Sequence, residues 1–600
     1  MDASNREPAF LDVEDSLSGQ RWVQRLDPAG LNRALAIAQS HGISDLVSRV
    51  LAARGVTAEN ASTFLAPTLR DLMPDPSTLR DMDIAAARLA DAIVAGEKVA
   101  VFGDYDVDGA ASAALIKRYL DLIGIDCDIY IPDRIFEGYG PNPAAIDSLI
   151  ENGANLILTV DCGSTSVAAL ERAYEQKVDV AIIDHHQIGD SHPPCVALVN
   201  PNRSDDLSGQ GHLCAAGLVF LLLVATQREL RRRGANIAAF DLLTMLDIVA
   251  LATVCDVVPL VGLNRAYVVK GLLAFRQMGN PGLAALMRVA GIDGPVTPYH
   301  IGYIIGPRIN AGGRIGDAAL GSLLLTLSDS AQVEEIAVTL NRLNGERQAL
   351  ERSILEEAEA EAMGEMGSGD GPAVLVTAGK GWHAGIVGIV AARLKEKFRR
   401  PAIAIALDPS GRGTGSARSI AGFDIGAAIR GAVEQGIADK GGGHAMAAGL
   451  SIDRSKLGAL RSYLEESAAA TIHTLRASQS VRIDGALAAG GASLELFDEI
   501  EKAGPYGASH PQPMFAMPDH QIIDARVVGA DHVKLKLADA TASRMEAIAF
   551  RAAETPMGQA LLAGRGGRFH LAGSLSADYW QGRRRVQMRV IDAATTAQLP

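Results

Sequence analysis

Three aspartates at alternate positions, Asp104, Asp106 and Asp108, stand directly behind the apolar run Val99-Ala-Val-Phe-Gly103. The run reads as a buried strand, and the small residues Gly109, Ala110, Ala111 and Ser112 read as the opening of a helix that reaches about Gly124. A strand–acid–helix unit belongs to an α/β layer architecture, in which the carboxyl ends of the strands face the ligand crevice. Three carboxylates packed this closely repel one another unless a cation neutralises them. Mg²⁺ and Mn²⁺ prefer such oxygen donors, and the N–H groups of a helix start suit a phosphate. The stretch points either to metal-dependent phosphate chemistry or to an Asp-rich turn that caps a helix.

The rest of the chain has to accommodate that unit. Its 600 residues exceed what one hydrophobic core holds, so about three or four domains are expected. Hydrophobic and charged contents of 48% and 21% are those of a soluble globular protein, and no apolar run reaches membrane-spanning length. The first residues lack the basic and apolar regions of a signal peptide. Cys127, Cys162, Cys195, Cys214 and Cys255 are odd in number and form no C-x-x-C pair, which suits a reduced cytoplasm. A net charge of −14 argues against a surface coated in nucleic acid, yet leaves room for a local basic channel.

Residues 1–75 read as a polar tail and short helices, with helical periodicity over Leu31–Ala53 and a further helix start over Ala58–Leu65, and form a packing arm. From about residue 80 to 260, strands are expected at 98–103, 127–131, 155–160, 179–183 and 195–199, with helices at 110–123, 143–151 and 166–176. This alternation argues for a mostly parallel, doubly wound sheet. No G-x-G-x-x-G follows the first strand and no G-x-x-x-x-G-K-[ST] occurs, so dinucleotide and P-loop chemistry fit poorly. Leu156–Val160 runs into Asp161-Cys-Gly163, Val180–Ile183 into Asp184-His185-His186, and a helical run over Leu242–Ala252 into Thr253-Val-Cys-Asp256. One such acid is commonly just a helix cap. Strand-end acids of one parallel sheet converge on one crevice. Asp106, Asp108, Asp161, His185 and Asp256 then form a carboxylate–imidazole set suited to two divalent ions, which can hold a hydrolytic water and stabilise a leaving oxygen.

Asp106-x-Asp108-Gly109, Asp161-Cys-Gly163, Asp184-His185-His186 and Asp256 resemble the four motifs of the DHH phosphoesterase superfamily. The resemblance implies a two-metal phosphoesterase using Mn²⁺ or Mg²⁺, with Asp106, Asp108, Asp161, His185 and Asp256 as ligands. It makes His186 a phosphate contact or proton donor, Asp184 the acceptor that orients the imidazoles, and Asp104 a ligand or a supporting group. Arg134-Ile-Phe-Glu-Gly-Tyr-Gly140, Gly306-Pro-Arg-Ile-Asn-Ala-Gly-Gly-Arg-Ile-Gly-Asp317, Trp382–Val390 and Gly441-Gly-Gly-His-Ala-Met-Ala-Ala-Gly449 narrow it to single-strand-specific 5′→3′ DNA exonucleases. It spans about residues 20–600; Gly313 departs from the Ala expected there, harmlessly for a Gly-rich loop.

The expected architecture is α/β: a catalytic DHH-type parallel domain over 76–328, a connecting helix and linker over 329–372, a second, DHH-associated α/β domain over 373–480, and an OB-type β-barrel over 481–600. The helix from Asp329 to about Met363 has a heptad-like apolar stripe interrupted at Gly345 and Arg347, which favours a spacer over a coiled-coil dimer. Gly364–Pro372 reads as a flexible linker. In the second α/β unit, strands are expected at 373–378 and 402–406 and helices at 384–397, 424–435 and 455–475.

Arg308, Asn310 and Arg314 lie in a Gly-rich loop that suits either phosphate binding or an interdomain connection. Ser416 and Arg418 fall in one Gly/Ser-rich turn and His444 in another, and the resemblance brings them, with Arg134, to the nucleic-acid backbone or its 5′ end. Strands at 520–528, 532–538, 545–550, 568–573 and 585–591 suggest the barrel. From residue 521 onward, 11 Lys and Arg face 7 Asp and Glu, so this segment is basic in an acidic chain. Arg583, Arg584, Arg585 and Arg589 beside Tyr579 and Trp580 suit a single strand, or equally an exposed edge strand.

The reading is a cytoplasmic, monomeric 5′→3′ exonuclease acting on single-stranded DNA in recombination and repair. Helicase and single-strand-binding-protein partners are implied by the resemblance alone. An oligoribonuclease or small-phosphoester hydrolase, and an inactive nucleic-acid-binding scaffold, are the competing readings.

Overall fold

The computed structural model describes residues 8–134, 136–236, 240–366, 370–580 and 583–596, without the side chains of residues 579, 580 and 583. The chain divides into two compact units, residues 73–478 and residues 1–72 with 479–600.

The larger unit is built on a five-stranded parallel sheet. Its strands are β1 (Val99–Gly103), β2 (Cys127–Tyr130), β3 (Leu156–Val160), β4 (Asp179–Ile183) and β5 (Ala197–Val199), in the order β2-β1-β3-β4-β5. Every residue of β1 and β3 is buried, as near-continuous apolar runs require when helices cover both faces. The order reverses at β1, which has β2 on one side and β3 on the other, and this opens a crevice at the carboxyl ends. Helices α1 (Val107–Leu122), α2 (Pro143–Glu151), α3 (Val167–Glu175), α4 (Ala215–Arg232) and α5 (Leu246–Cys255) follow in the chain. Helix α1 starts at Val107 rather than Gly109, and the Asp106 side chain accepts the N–H groups of Asp108 and Gly109. Asp106 is therefore the N-cap, and the donors it takes are not left for a phosphate.

Residues 306–315 form a helix, α6 (Gly306–Ile315), where the glycines suggested a loop. Its glycines permit close packing instead: a Cβ on Gly306 would sit 2.4 Å from Cys255 Sγ, and one on Gly313 2.7 Å from the Tyr105 carbonyl oxygen. Gly313 is thus a packing requirement in this chain, not a neutral departure.

Helix α7 (Ser330–Met366) is 37 residues long, about 55 Å. Val333, Ala337 and Leu340 are buried in its first half, and Ile354, Ala358 and Ala362 in its second half, against Leu375 and Trp382. The apparent break at Arg347 is filled by an ion pair to Glu351 and a 2.7 Å hydrogen bond to Asn344 Oδ1. Leu350, in the middle of the stripe, is 40% exposed, so the chain itself covers the stripe at its two ends. The expected linker at 364–372 falls partly outside the described residues, and its first residues belong to α7.

A second, mixed sheet follows: β6 (Leu375–Lys380), β7 (Ala402–Leu407), β8 (Arg412–Arg418), β9 (Lys440–His444) and β10 (Ala447–Asp453), in the order β9-β10-β8-β7-β6. Helix α8 (Val387–Phe398) and helices Ile425–Glu434 and Leu457–Ala477 accompany it. Ser416, Arg418 and His444 therefore lie on strands, not in turns.

In the other unit, β11 (Phe515–Val528), β12 (His532–Ala538), β13 (Arg544–Ala549), β14 (Arg568–Trp580) and β15 (Arg583–Thr595) close a barrel in the order β11-β12-β13-β15-β14-β11. Helices Leu494–Ala503 and Pro556–Ala563 accompany it without having been expected. The N-terminal periodicity resolves into two helices, Pro28–His41 and Asp45–Ala52, broken at Gly42 with φ 63°. Ile37, Val50 and Leu51 share one core with barrel residues Phe515, Leu535 and Leu571. Strand Arg21–Gln24 pairs in parallel with Ser480–Ile483, and Trp22 Nε1 donates to the buried Asp592 carboxylate at 2.9 Å.

Candidate metal centre

The three strand-end acids lie side by side because each extends the sheet by one hydrogen bond. Asp104 N–H donates to Val160 O, Asp161 N–H to Ile183 O, and Asp184 N–H to Val199 O, at 3.0–3.3 Å. Asp161 has φ 61°, an uncommon conformation for a residue with a side chain. Gly163 follows with φ 108°, where a Cβ would meet Thr159 Oγ1 at 2.4 Å. This tight turn allows the chain to leave β3 immediately after the acid.

His185 Nε2 stands at the middle of the acids, 3.2 Å from Asp161 Oδ1, 3.7 Å from Asp256 Oδ2 and 3.8 Å from Asp108 Oδ2. Among the described residues, three groups have donor atoms within 4.8 Å of one another: Asp104, Asp106 and Asp161; Asp108, His185 and Asp256; and Asp161, His185 and His186. Asp108 also accepts the N–H groups of Ala215 and Ala216 at 2.7 and 2.9 Å, so the start of α4 fixes it. Asp256 follows α5 directly, at its C-terminal end.

Electrostatics match a cation site. Burial first, and neighbouring aspartates second, push Asp108 up to about 7 and Asp256 up to about 9, and hold Asp104 and Asp161 well above the carboxylate range. Burial presses His185 down to about 4, which keeps the imidazole neutral and able to ligate. Asp104 Oδ1, Asp161 Oδ1 and Asp256 Oδ2 are buried with no hydrogen-bond partner among the described residues. A divalent cation satisfies such oxygens, and crowded carboxylates with neutral imidazole are the donors Mn²⁺ and Mg²⁺ accept.

Asp184 plays a different part. It accepts from Ser164 N–H, His185 N–H and His186 N–H, and His186 Nδ1 lies 2.8 Å from its Oδ1. Burial alone would raise its pKa, but these hydrogen bonds and the His186 charge hold it below the usual range. Burial likewise opposes protonation of His186, and Asp184 overrides it and raises the imidazole pKa.

Sequence reasoning missed the supporting groups. The Tyr139 hydroxyl donates to Asp161 O and lies 3.0 Å from His186 Nδ1. Asn200 Nδ2 donates to His186 O and Ser164 Oγ, and Asn202 Nδ2 to His185 O. Tyr139 sits in a motif quoted above and was legible there, whereas Asn200 and Asn202 carry no local signal.

The cations gather within the same unit. Arg134 stacks over the Tyr105 ring at 4.8 Å. Arg314 Nη1 donates to Gly385 O, and burial and the charges of Arg134, Arg347 and Arg418 press its pKa down to about 10. Arg418 Nη2 and Ser416 Oγ lie 3.1 and 3.4 Å from where a Gly388 Cβ would stand, so glycine makes room for both. Burial and Arg134 lower the pKa of Arg418 too. No ion pair relieves Arg134, Arg314 or Arg418 among the described residues. Arg308 instead braces α6, donating to Asn341 Oδ1 and Ile304 O. Asn310 is half-buried on α6, and exposed His444 ends the edge strand β9.

On the barrel, Arg584 pairs with Asp498 at 2.7 Å and covers Phe497, and Arg585 lies 3.4 Å from Asp578. Both guanidiniums are thus engaged within the barrel unit. The side chains of Tyr579, Trp580 and Arg583 lie outside the described residues.

A parallel sheet with a buried carboxylate–imidazole cluster at its carboxyl ends defines a metal-dependent hydrolase of the DHH class. The DHH family N-terminal domain matches residues 98–253, the DHHA1 domain residues 371–470, and the RecJ OB domain residues 483–592. The single-stranded-DNA-specific exonuclease RecJ of Bacillus subtilis is 33% identical over 585 residues, covering 96% of this chain and 71% of that protein. Two crystal structures of RecJ from Thermus thermophilus are similar. The Mn²⁺ complex has a TM-score of 0.78 at 29% identity, over 96% of this chain and 79% of that one. The Mg²⁺ complex has 0.71 at 27% identity, over 95% and 77%. The chain belongs to the RecJ family.

Proposed function

We propose that this chain hydrolyses single-stranded DNA from its 5′ end, one or a few nucleotides at a time, in recombination and repair. The observation that carries the reading is the set of buried oxygens without a hydrogen-bond partner among the described residues, Asp161 Oδ1 and Asp256 Oδ2 about His185 and Asp104 Oδ1 grouped with Asp161, in a member of this exonuclease family.

Asp106, Asp108, Asp161, His185 and Asp256 would hold two divalent ions, with Asp104 as a further oxygen donor beside them. Bound there, Mn²⁺ or Mg²⁺ supplies Lewis acidity to the phosphodiester. Asp184 orients His186 through Nδ1, so that the opposite nitrogen, Nε2, can contact a phosphate oxygen or give a proton to the leaving oxygen. Water adds to phosphorus and the P–O3′ bond breaks, leaving a 5′-phosphate on the remaining strand and a 3′-hydroxyl on the released piece. No covalent enzyme intermediate is required. Arg134, Arg314, Ser416 and Arg418 bind backbone or end phosphates, whose charge relieves the repulsion among the guanidiniums. Arg308, Asn310 and His444 are assigned to the same substrate path. Tyr579, Trp580 and Arg583–Arg585 are assigned to strand binding on the barrel. The chain acts in the cytoplasm as a monomer, with a helicase and a single-strand-binding protein as the partners that the family resemblance implies.

The test uses one oligonucleotide labelled separately at each end, single-stranded and as a blunt duplex, with Mn²⁺, Mg²⁺ or EDTA. Metal-dependent early release of the 5′ label from the single strand alone is expected, while the 3′-labelled copy shortens progressively. Cleavage confined to very short oligomers would move the reading to a small-phosphoester hydrolase. No cleavage with any metal would leave a binding scaffold.

A further inference from the structure

Helix α6 is the end of a longer helical rod. Pro298–His300 and Ile301–Ile305 lead into it without a break, and the middle piece is a π-helical turn in which Gly306 N–H donates to Ile301 O, five residues back. Pro307 explains the turn, since it has no N–H to donate to the Tyr303 carbonyl. Such turns are frequent at functional sites.

The rod lies along the metal centre and is anchored at both rims. Cβ atoms on Gly302 and Gly306 would stand 3.4 Å from Val254 Cγ1 and 2.4 Å from Cys255 Sγ, just before Asp256. At the other end Gly313 meets the carbonyl of Tyr105, between Asp104 and Asp106. Tyr299 and Tyr303 project at the Asp256 end, 57% and 74% exposed, with ring centroids 5.2 Å apart and planes 27° apart. Exposed Val257 follows Asp256 directly. Thr297 and His300 fix the start of the rod with reciprocal hydrogen bonds, so the base of the tyrosine pair is held.

We propose that Tyr299 and Tyr303 form a base-stacking platform for single-stranded nucleic acid, continuous with the substrate cleft at its Asp256 rim. The inference rests on the nuclease reading above and adds a binding site to it. Two exposed rings stacked on each other extend one aromatic column, and unpaired bases can continue that column on its outer face without regard to sequence. The same rod carries Asn310 and Arg314 about two to four turns further on. It thereby presents π-faces at one end and phosphate-binding groups at the other, the combination a single strand needs. A duplex shields its base faces and gains nothing from the platform, so the site also favours single strands.

The test is equilibrium binding of the full chain in EDTA to a 20-nucleotide thymidine oligonucleotide and to a copy made abasic along its length. Wild type is expected to prefer the intact strand. Tyr299→Ala/Tyr303→Ala should weaken that binding about tenfold and leave the abasic strand nearly unaffected, so the preference shrinks. Tyr299→Phe/Tyr303→Phe should retain wild-type affinity, because the ring and not the hydroxyl is used. Unchanged affinity in the alanine variant would overturn the platform, and so would an equal loss on intact and abasic strands. If wild type neither binds nor cleaves single strands, the nuclease reading itself fails. Cleavage by wild type with no effect of the tyrosines removes the platform alone.

Discussion

Asp184 and His186, two residues apart, face each other side chain to side chain at 2.8 Å, and the same carboxylate accepts both intervening backbone N–H groups. One acid therefore sets the loop and the ring together. Asp184→Asn should lower turnover about 10–100-fold and raise the Mn²⁺ concentration needed for half-maximal activity. A metal titration of oligonucleotide cleavage checks this, and wild-type values would mean the loop holds its shape without the carboxylate.

Asp161 Oδ1 lies 3.2 Å from His185 Nε2, nearer than Asp108 or Asp256, and makes no hydrogen bond among the described residues. Asp161→Ala should abolish cleavage and spare DNA binding, which gel shift and end-label release measure in one preparation. Retained cleavage in a clean preparation would sink the metal assignment.

The crowded acids have raised pKa values, so at neutral pH the metal-free fold must hold protons that the unfolded chain has released, and this costs stability that grows as pH rises above the ordinary carboxylate range. Mn²⁺ or Mg²⁺ should raise the thermal midpoint of wild type. Asp161→Asn should raise the midpoint of the metal-free protein and shrink the increment that metal gives. Scanning fluorimetry with and without EDTA reads both, and an undiminished increment would place the ions elsewhere.

A Cβ at Gly109 would lie 2.3 Å from the Asp104 carbonyl oxygen and 2.5 Å from its nitrogen. Gly109→Ala has to displace the turn that carries Asp104 and Asp106. A loss of about 1–3 kcal/mol is expected, together with a larger fall in activity than the lowered midpoint explains. Wild-type turnover would show that the turn can shift without moving the acids.

Phe550 is 47% exposed, with Arg589 over its ring at 5.2 Å and His532 edge-on at 5.1 Å. Arg584 and Arg585 are held in ion pairs, and among the described residues Phe550 offers the barrel an exposed ring with a cation over it. Phe550→Ala should weaken binding of long strands several-fold, about 1 kcal/mol, and leave cleavage of short ones unchanged. Equal effects at both lengths would remove the barrel from strand binding.

The acids were legible because parallel strands buried on both faces read as unbroken apolar runs, so the residue ending each run is conspicuous. β8 and β9 were not legible. Arg412-Gly-Thr-Gly-Ser-Ala-Arg418 and Lys440-Gly-Gly-Gly-His444 carry the composition of turns. Their glycines serve another purpose: Cβ atoms on Gly413 and Gly441 would press on Ile405 and Ile429 at 2.7 and 2.6 Å. The same misreading hid α6. Glycine signals either a bend or a close approach, and only the partner across the gap tells which. The barrel's basic count was read correctly, but composition does not reveal that Asp498 and Asp578 take up two of its arginines.

The parallel pairing of Arg21–Gln24 with Ser480–Ile483 has a consequence for the newborn chain. Strand Arg21–Gln24 must wait for its partner, on the order of 20–90 seconds at ordinary elongation rates. Trp22 waits longer still, since Asp592 lies 570 residues further along the chain. Until then Ile37, Val50 and Leu51 lack the barrel side of their shared core. A ribosome that stalls before the barrel is complete leaves that apolar face bare for chaperones and proteases to find. Residues 21–52 thus report whether the barrel behind them has been made.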